Sequence, residues 1–89
     1  MNVDTAYRYC ETVTRREARN FAYGIMLLPP VKRRALSAVY AFARRIDDIG
    51  DGDLARSDKT RLLAQARRDV EHLDRATSDP VLVALRDAA

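Results

Sequence analysis

Helix breakers are rare in this chain, and long stretches hold nothing that would stop a helix once begun. The 89 residues contain three Gly and three Pro, at Gly24, Pro29-Pro30, Gly50, Gly52 and Pro80. Between these points Ala, Arg and Leu dominate, and all three are good helix formers. Val, Ile, Thr and the aromatic residues form no alternating runs of the kind a strand requires. The expected class is all-α.

The breakers and caps divide the chain into four main helices. Asp4 is placed to cap a first helix from about Thr5 to Arg19, whose apolar side is Ala6, Tyr9, Cys10, Val13 and the stem of Glu17. The apolar stretch Phe21–Leu28, interrupted by Gly24, reads as a turn and a brief helical piece. Pro29-Pro30 ends it, because a residue before proline avoids the α region. Pro30 also suits the first position of the next helix, where a missing N–H costs nothing. That helix is expected from Val31 to Ile49, with Ala35, Val39, Phe42, Ile46 and Ile49 as one apolar stripe. Ser57 would cap a third helix reaching about Arg75, with Leu62, Leu63, Ala66, Val70 and Leu73 inward. Asp79-Pro80 reads as the cap and first residue of a fourth helix.

The bulk properties exclude several classes. A content of 47% hydrophobic and 33% charged residues is that of a soluble globular chain, not a disordered one. A domain this short buries only about 60–65% of its unfolded surface, which leaves little room to enclose a deep pocket. Cys10 is the only cysteine and His72 the only histidine, so neither an intrachain disulfide nor a Cys/His zinc site is available. Residues 2–20 are polar and charged, unlike a signal peptide, and no apolar run approaches bilayer length. A cytoplasmic location follows as an expectation, with room for peripheral association at the inner membrane face. The net charge of +3 is nearly all arginine and is compatible with phosphorylated metabolites, nucleic acid or an anionic surface.

The informative stretch is Tyr40-Ala-Phe-Ala-Arg-Arg-Ile-Asp-Asp-Ile-Gly-Asp-Gly-Asp53. Asp47 and Asp51 are four residues apart. On a helix they lie within about 40° of each other and about 6 Å apart along the axis. Two carboxylates on one face can share hard cations, and Mg²⁺ takes oxygen ligands while keeping waters and accepting phosphate oxygens. Acids at a helix C-terminus oppose the macrodipole, and like charges at this spacing repel. An unfavourable local choice of that kind often marks a functional site. The ordinary alternative, a solvated acidic helix end, carries equal weight on spacing alone. Ser37, Tyr40, Arg44, Asp47 and Asp51 follow three- and four-residue steps and form a polar stripe expected to turn toward the interior. Arg44 can grip a phosphate bidentately, or pair within the helix with Asp47 or Asp48.

From Tyr40 to Asp51 the sequence resembles the first Asp-rich motif of squalene and phytoene synthases. Ala18-Arg19-Asn20-Phe21, Leu27-Leu28-Pro29 and Lys32-Arg33-Arg34-Ala35 resemble the segment that precedes it, in the same order and at matching separations. The strong part runs from Tyr9 to Asp53, and its flavour is closest to the bacterial presqualene diphosphate synthases of hopanoid pathways. The resemblance implies an isoprenoid-synthase-type helical bundle with a central cavity. It implies a transferase that joins two prenyl diphosphates head to head, farnesyl or geranylgeranyl, through a cyclopropyl intermediate. Mg²⁺, or Mn²⁺ in its place, would be the cofactor, and NADPH use stays open. Asp47 and Asp51 match the metal-binding acids and Asp48 the middle acid of that set. Tyr40 matches a catalytic position, and Arg44, Phe21 and Asn20 match substrate contacts.

Two departures stand out. Glu17-Ala18-Arg19-Asn20 replaces the Ser or His that family members often carry ahead of the Phe. The family's second Asp-rich motif is missing, since Asp69 and Asp74 are five residues apart and Asp79 sits at a cap. Residues 1–89 are therefore expected to be the N-terminal segment of an incomplete domain, inactive alone, whose partner is the remainder of the same enzyme. The alternative from another class is a small basic helical module that binds nucleic acid or a protein. Arg33, Arg34, Arg44 and Arg45 would serve a recognition helix, but its acidic end would repel phosphates.

Overall fold

Asn2 begins the first helix. Its side-chain oxygen accepts from the backbone N–H of Asp4 at 2.7 Å and of Thr5 at 3.4 Å, so α1 runs Val3–Ala18. The cap is Asn2 and not Asp4. Asp4 lies in the first turn, where its charge suits the positive helix end. The structure, a computed structural model, describes residues 1–75 and 77–89, with the backbone alone for Phe21. The further helices are α2 (Asn20–Met26), α3 (Pro30–Asp51), α4 (Arg56–Glu71) and α5 (Pro80–Ala88). The described residues contain no strand, and the fold is all-α.

Helix α3 begins with Pro30 at its first position, as expected, and continues two residues past Ile49. Asp51 is therefore inside the helix. The third long helix differs from expectation. Ala55 takes the N-cap position of α4 without a side-chain bond, Ser57 falls within the first turn, and the helix stops at Glu71. Asp79 caps α5 as read, accepting from Val81 N–H at 3.0 Å.

The core lies among α1, α3 and α5. It consists of Ala6, Tyr7, Cys10 and Val13 of α1, Ala38 and Ala41 of α3, and Val81, Val83 and Ala84 of α5, with Phe42 and Leu85 packed at its edge. So many small side chains let three helix axes approach closely. The expected inward residues change accordingly. Tyr9 is 47% exposed and Tyr7 takes the interior place. On α3 the buried side is Ser37, Ala38 and Ala41, while Val39 of the expected stripe is 54% exposed. Alanine fits beneath α1 and α5, while Phe42 of the expected stripe packs at the core's edge and Ala35, Ile46 and Ile49 are half-buried.

Polar contacts tie the three helices. The Tyr7 hydroxyl donates to Asp87 at 2.7 Å, and the Arg34 guanidinium lies 5.4 Å from the centre of its ring. Burial, followed by the Asp87 bond, pushes Tyr7 up to about 12. Glu11 is buried between Arg15 at 3.5 Å and Arg33 at 3.6 Å. Helix α4 is peripheral, with Ala66 as its one buried residue. Among the described residues no helix is long and apolar enough to cross a membrane.

Candidate functional site

Helix α3 places four of the sequence-selected residues on one strip. At 100° per residue, Tyr40, Arg44, Asp47 and Asp51 fall within about 60° of arc. Tyr40 and Arg44 are half-buried, and Asp47 and Asp51 are exposed. The strip does not turn inward among the described residues, because α1 and α5 cover the neighbouring Ser37-Ala38-Ala41 side. Ser37, at the strip's edge, is fully buried.

Among the described residues, no ion pair or hydrogen bond engages the carboxylate of Asp47 or Asp51. Two unengaged oxygen donors one turn apart fit a hard cation that keeps water and phosphate oxygens as its other ligands. No group of three or more His, Cys, Asp or Glu side chains gathers around one point among these residues. Among the described residues the pair is thus open to solvent and not part of a closed cage.

Asp48 faces elsewhere. It lies about 100° around the helix from Asp47, and its Oδ1 is 3.2 Å from Arg44 Nε. The in-helix pairing considered for Arg44 therefore exists, through Asp48. The pair is close in distance but poorly aligned, since Arg44 Nε makes no proper hydrogen bond. Arg44 Nη2 also lies 3.7 Å from Glu17 Oε2 on α1. Both carboxylates border a groove of about 320 Å³ between α1 and α3, walled by Tyr9, Arg16, Glu17, Arg44, Asp48 and Ile49.

The C-terminal end of α3 is held by two features. Lys59 of α4 donates its ammonium to the Gly50 carbonyl at 2.9 Å, which suits the negative helix end. Gly52 makes the turn that follows, where a Cβ would lie 2.8 Å from the Asp48 carbonyl oxygen. The back of α3 is held by Arg45, whose guanidinium grips Asp79 with contacts of 2.8 and 2.9 Å. Burial alone would raise the Asp79 carboxyl. The Arg45 bonds and charge and the Val81 and Leu82 N–H groups outweigh it and hold Asp79 below the usual carboxylate range.

Asn20 stands apart from this strip. It opens α2 and lines a second groove of about 530 Å³ with Arg15, Arg19, Tyr23 and Met26. Arg19 joins α1 to α2 at φ 48° and ψ −109°, a conformation that residues with a side chain rarely adopt. The side chain of Phe21 lies outside the described residues. Cys10 sits in the core, where burial pushes its thiol up to about 11 and favours the protonated form. Sequence reading missed Glu17 and Arg45 as neighbours of the strip. Arg45 was visible beside Arg44, but no local signal ties it to Asp79, 34 residues away.

Comparison with known proteins bears on the family of the chain. The squalene/phytoene synthase family profile matches residues 14–89. Phytoene synthases of Mycobacterium bovis and Mycobacterium tuberculosis are each 56% identical over 87 residues, covering 98% of this chain and 28% of theirs. A 15-cis-phytoene synthase of Synechocystis sp. is 44% identical over 54 residues, 61% of this chain and 16% of that protein. The chain thus spans little more than a quarter of the length of its mycobacterial relatives. With the matched profile covering most of its residues, the chain belongs to the squalene/phytoene synthase family.

Proposed function

We propose that this chain supplies one metal-binding face of an enzyme that condenses two prenyl diphosphates head to head, a transferase of isoprenoid or carotenoid biosynthesis. The observation that carries the reading is the Asp47–Asp51 pair: two exposed carboxylates, one turn apart, unengaged among the described residues and in line with Arg44. The names of the relatives above favour a phytoene-type product over presqualene diphosphate.

In this reading Asp47 and Asp51 hold Mg²⁺, or Mn²⁺ in its place, against the substrate diphosphate. The bound ion would neutralise the leaving group and fix its orientation. Arg44 would donate its fork to diphosphate oxygens, exchanging its loose contacts with Glu17 and Asp48 for charge-assisted bonds. Asp48 would restrain Arg44 from the side. Tyr40, one turn from Arg44, would line the prenyl cavity with Phe21, and Asn20 would contact substrate from α2. The facing acids would come from the remainder of the same enzyme.

The test is the full-length enzyme incubated with Mg²⁺ and either farnesyl or geranylgeranyl diphosphate. Diphosphate release with a head-to-head product is expected from one of the two, and none above background from residues 1–89 alone. Failure of the full-length enzyme to join either substrate would contradict the reading.

A further inference from the structure

We propose that Arg45 and Asp79 are positioning residues for the acid pair: their two-point clamp sets the rotation of α3, so that Asp47 and Asp51 face away from α1 and α5. The proposal rests on the reading of Asp47 and Asp51 as metal ligands. Arg45 Nη1 donates to Asp79 Oδ2 at 2.8 Å and Nη2 donates to Oδ1 at 2.9 Å. Two parallel bonds fix orientation as well as distance, which one contact cannot do.

Asp79 is itself held in place. Its Oδ1 accepts from Val81 N–H at 3.0 Å, and its own N–H donates to Thr77 Oγ1 at 3.0 Å. The carboxylate therefore cannot swing to follow a rotating Arg45. Asp47 follows Arg45 by two residues, a turn of about 200°, so the two side chains leave α3 on nearly opposite sides. Pinning Arg45 at the back aims Asp47 at the front.

Among the described residues, no other side-chain pair at this end of α3 makes a two-point hydrogen-bonded contact. The α3 side chains packed into or against the core nearby are Ala38, Ala41 and Phe42; they set how closely α3 approaches α1 and α5, but none makes a directed bond that fixes its rotation. Arg44 is shared between Asp48 at 3.2 Å and Glu17 at 3.7 Å. Lys59 reaches a single carbonyl.

The test uses Mn²⁺ as probe, with inorganic diphosphate, in the full-length enzyme. Free Mn²⁺ is counted by electron paramagnetic resonance, and hydrogen exchange is followed at amides 46–51. Asp79→Ser keeps a good N-cap but removes the fork. Arg45→Lys keeps the charge but removes the fork from the other side. Each is expected to weaken Mn²⁺ binding by about 10–100-fold, the usual range when an outer support of a metal ligand is lost. Faster exchange at amides 46–51 should accompany it. Asp79→Asn, which keeps the cap and one good acceptor, should fall between wild type and Asp79→Ser. Asp47→Asn is the reference and should abolish most binding. If Asp47→Asn does so while Asp79→Ser and Arg45→Lys bind Mn²⁺ as wild type, the clamp proposal is overturned and the acid pair stands. The clamp proposal is equally overturned if these variants lose only melting temperature and the folded enzyme keeps its Mn²⁺ affinity. Wild-type binding by Asp47→Asn would overturn both.

Discussion

Arg44 is the residue at which the ion-pair role and the substrate role diverge most clearly. Its contacts with Asp48 and Glu17 are long or poorly aligned, and exposed pairs of this kind contribute little to stability. Arg44→Lys should therefore leave the melting temperature nearly unchanged. If Arg44 binds diphosphate, the loss of one charge-assisted bond costs about 1.5–3 kcal/mol, roughly 10–100-fold in substrate affinity. Steady-state kinetics would show this as a raised KM, and an unchanged KM would return Arg44 to a purely structural role. Asp79 makes a separate prediction about pH. Its carboxyl is held below its ordinary value in the folded state, so over that window the unfolded chain binds more protons and stability rises with pH. The contribution is whole above about pH 4, the ordinary carboxylate value, and fades as pH falls toward the depressed one. Asp79→Asn should flatten the acid limb of a melting-temperature profile. An unchanged limb would contradict the Arg45–Asp79 pairing.

At the scale of elements, the end of α3 decides where Asp51 points. A Cβ at Gly52 would meet the Asp48 carbonyl oxygen at 2.8 Å, and that oxygen belongs to backbone that must shift. Gly52→Ala should fray the last turn, seen as faster hydrogen exchange at residues 48–52, and lower activity while the core stays folded. Normal exchange and full activity would show that the turn tolerates a side chain. The helices themselves were legible in the sequence, because Pro30 and Asp79-Pro80 are local signals with local causes. Their buried faces were less so. Helix α3 carries an aliphatic stripe and an alanine face side by side, and periodicity favours the larger residues. Close packing against α1 and α5 put Ala38 and Ala41 in the interior and left Phe42 of that stripe at its edge. Tyr7 displaced Tyr9 for a related reason: its hydroxyl finds Asp87, 80 residues along the chain, which no local pattern announces. The candidate acids were legible from spacing. Their exposure was not, because it depends on which elements cover α3.

The whole molecule is a slab of 40 × 31 × 17 Å with a radius of gyration of 13.4 Å, larger than the roughly 12 Å of a compact chain this long. Tyr23, Leu27, Val31, Leu36 and Val39 are exposed along α2, its C-terminal turn and α3, so much apolar surface is left uncovered. Isolated residues 1–89 should be marginally stable, with a broad, low-temperature melt and binding of a hydrophobic dye. A sharp melt at high temperature would contradict this. The central claim, that Asp47 and Asp51 hold a metal–diphosphate unit, is tested most directly by the Mg²⁺ dependence of steady-state rates in the full-length enzyme. Asp47→Asn and Asp51→Asn keep shape and remove one charge each. Each should lower the rate by about 10²–10³, the usual cost of one lost electrostatic contact at a reacting centre. The Mg²⁺ requirement should rise, the fold should stay intact, and Asp48→Asn should cost much less. Wild-type rates and Mg²⁺ dependence in both variants, with slightly raised stability from relieved repulsion, would show that these acids are only a solvated helix end.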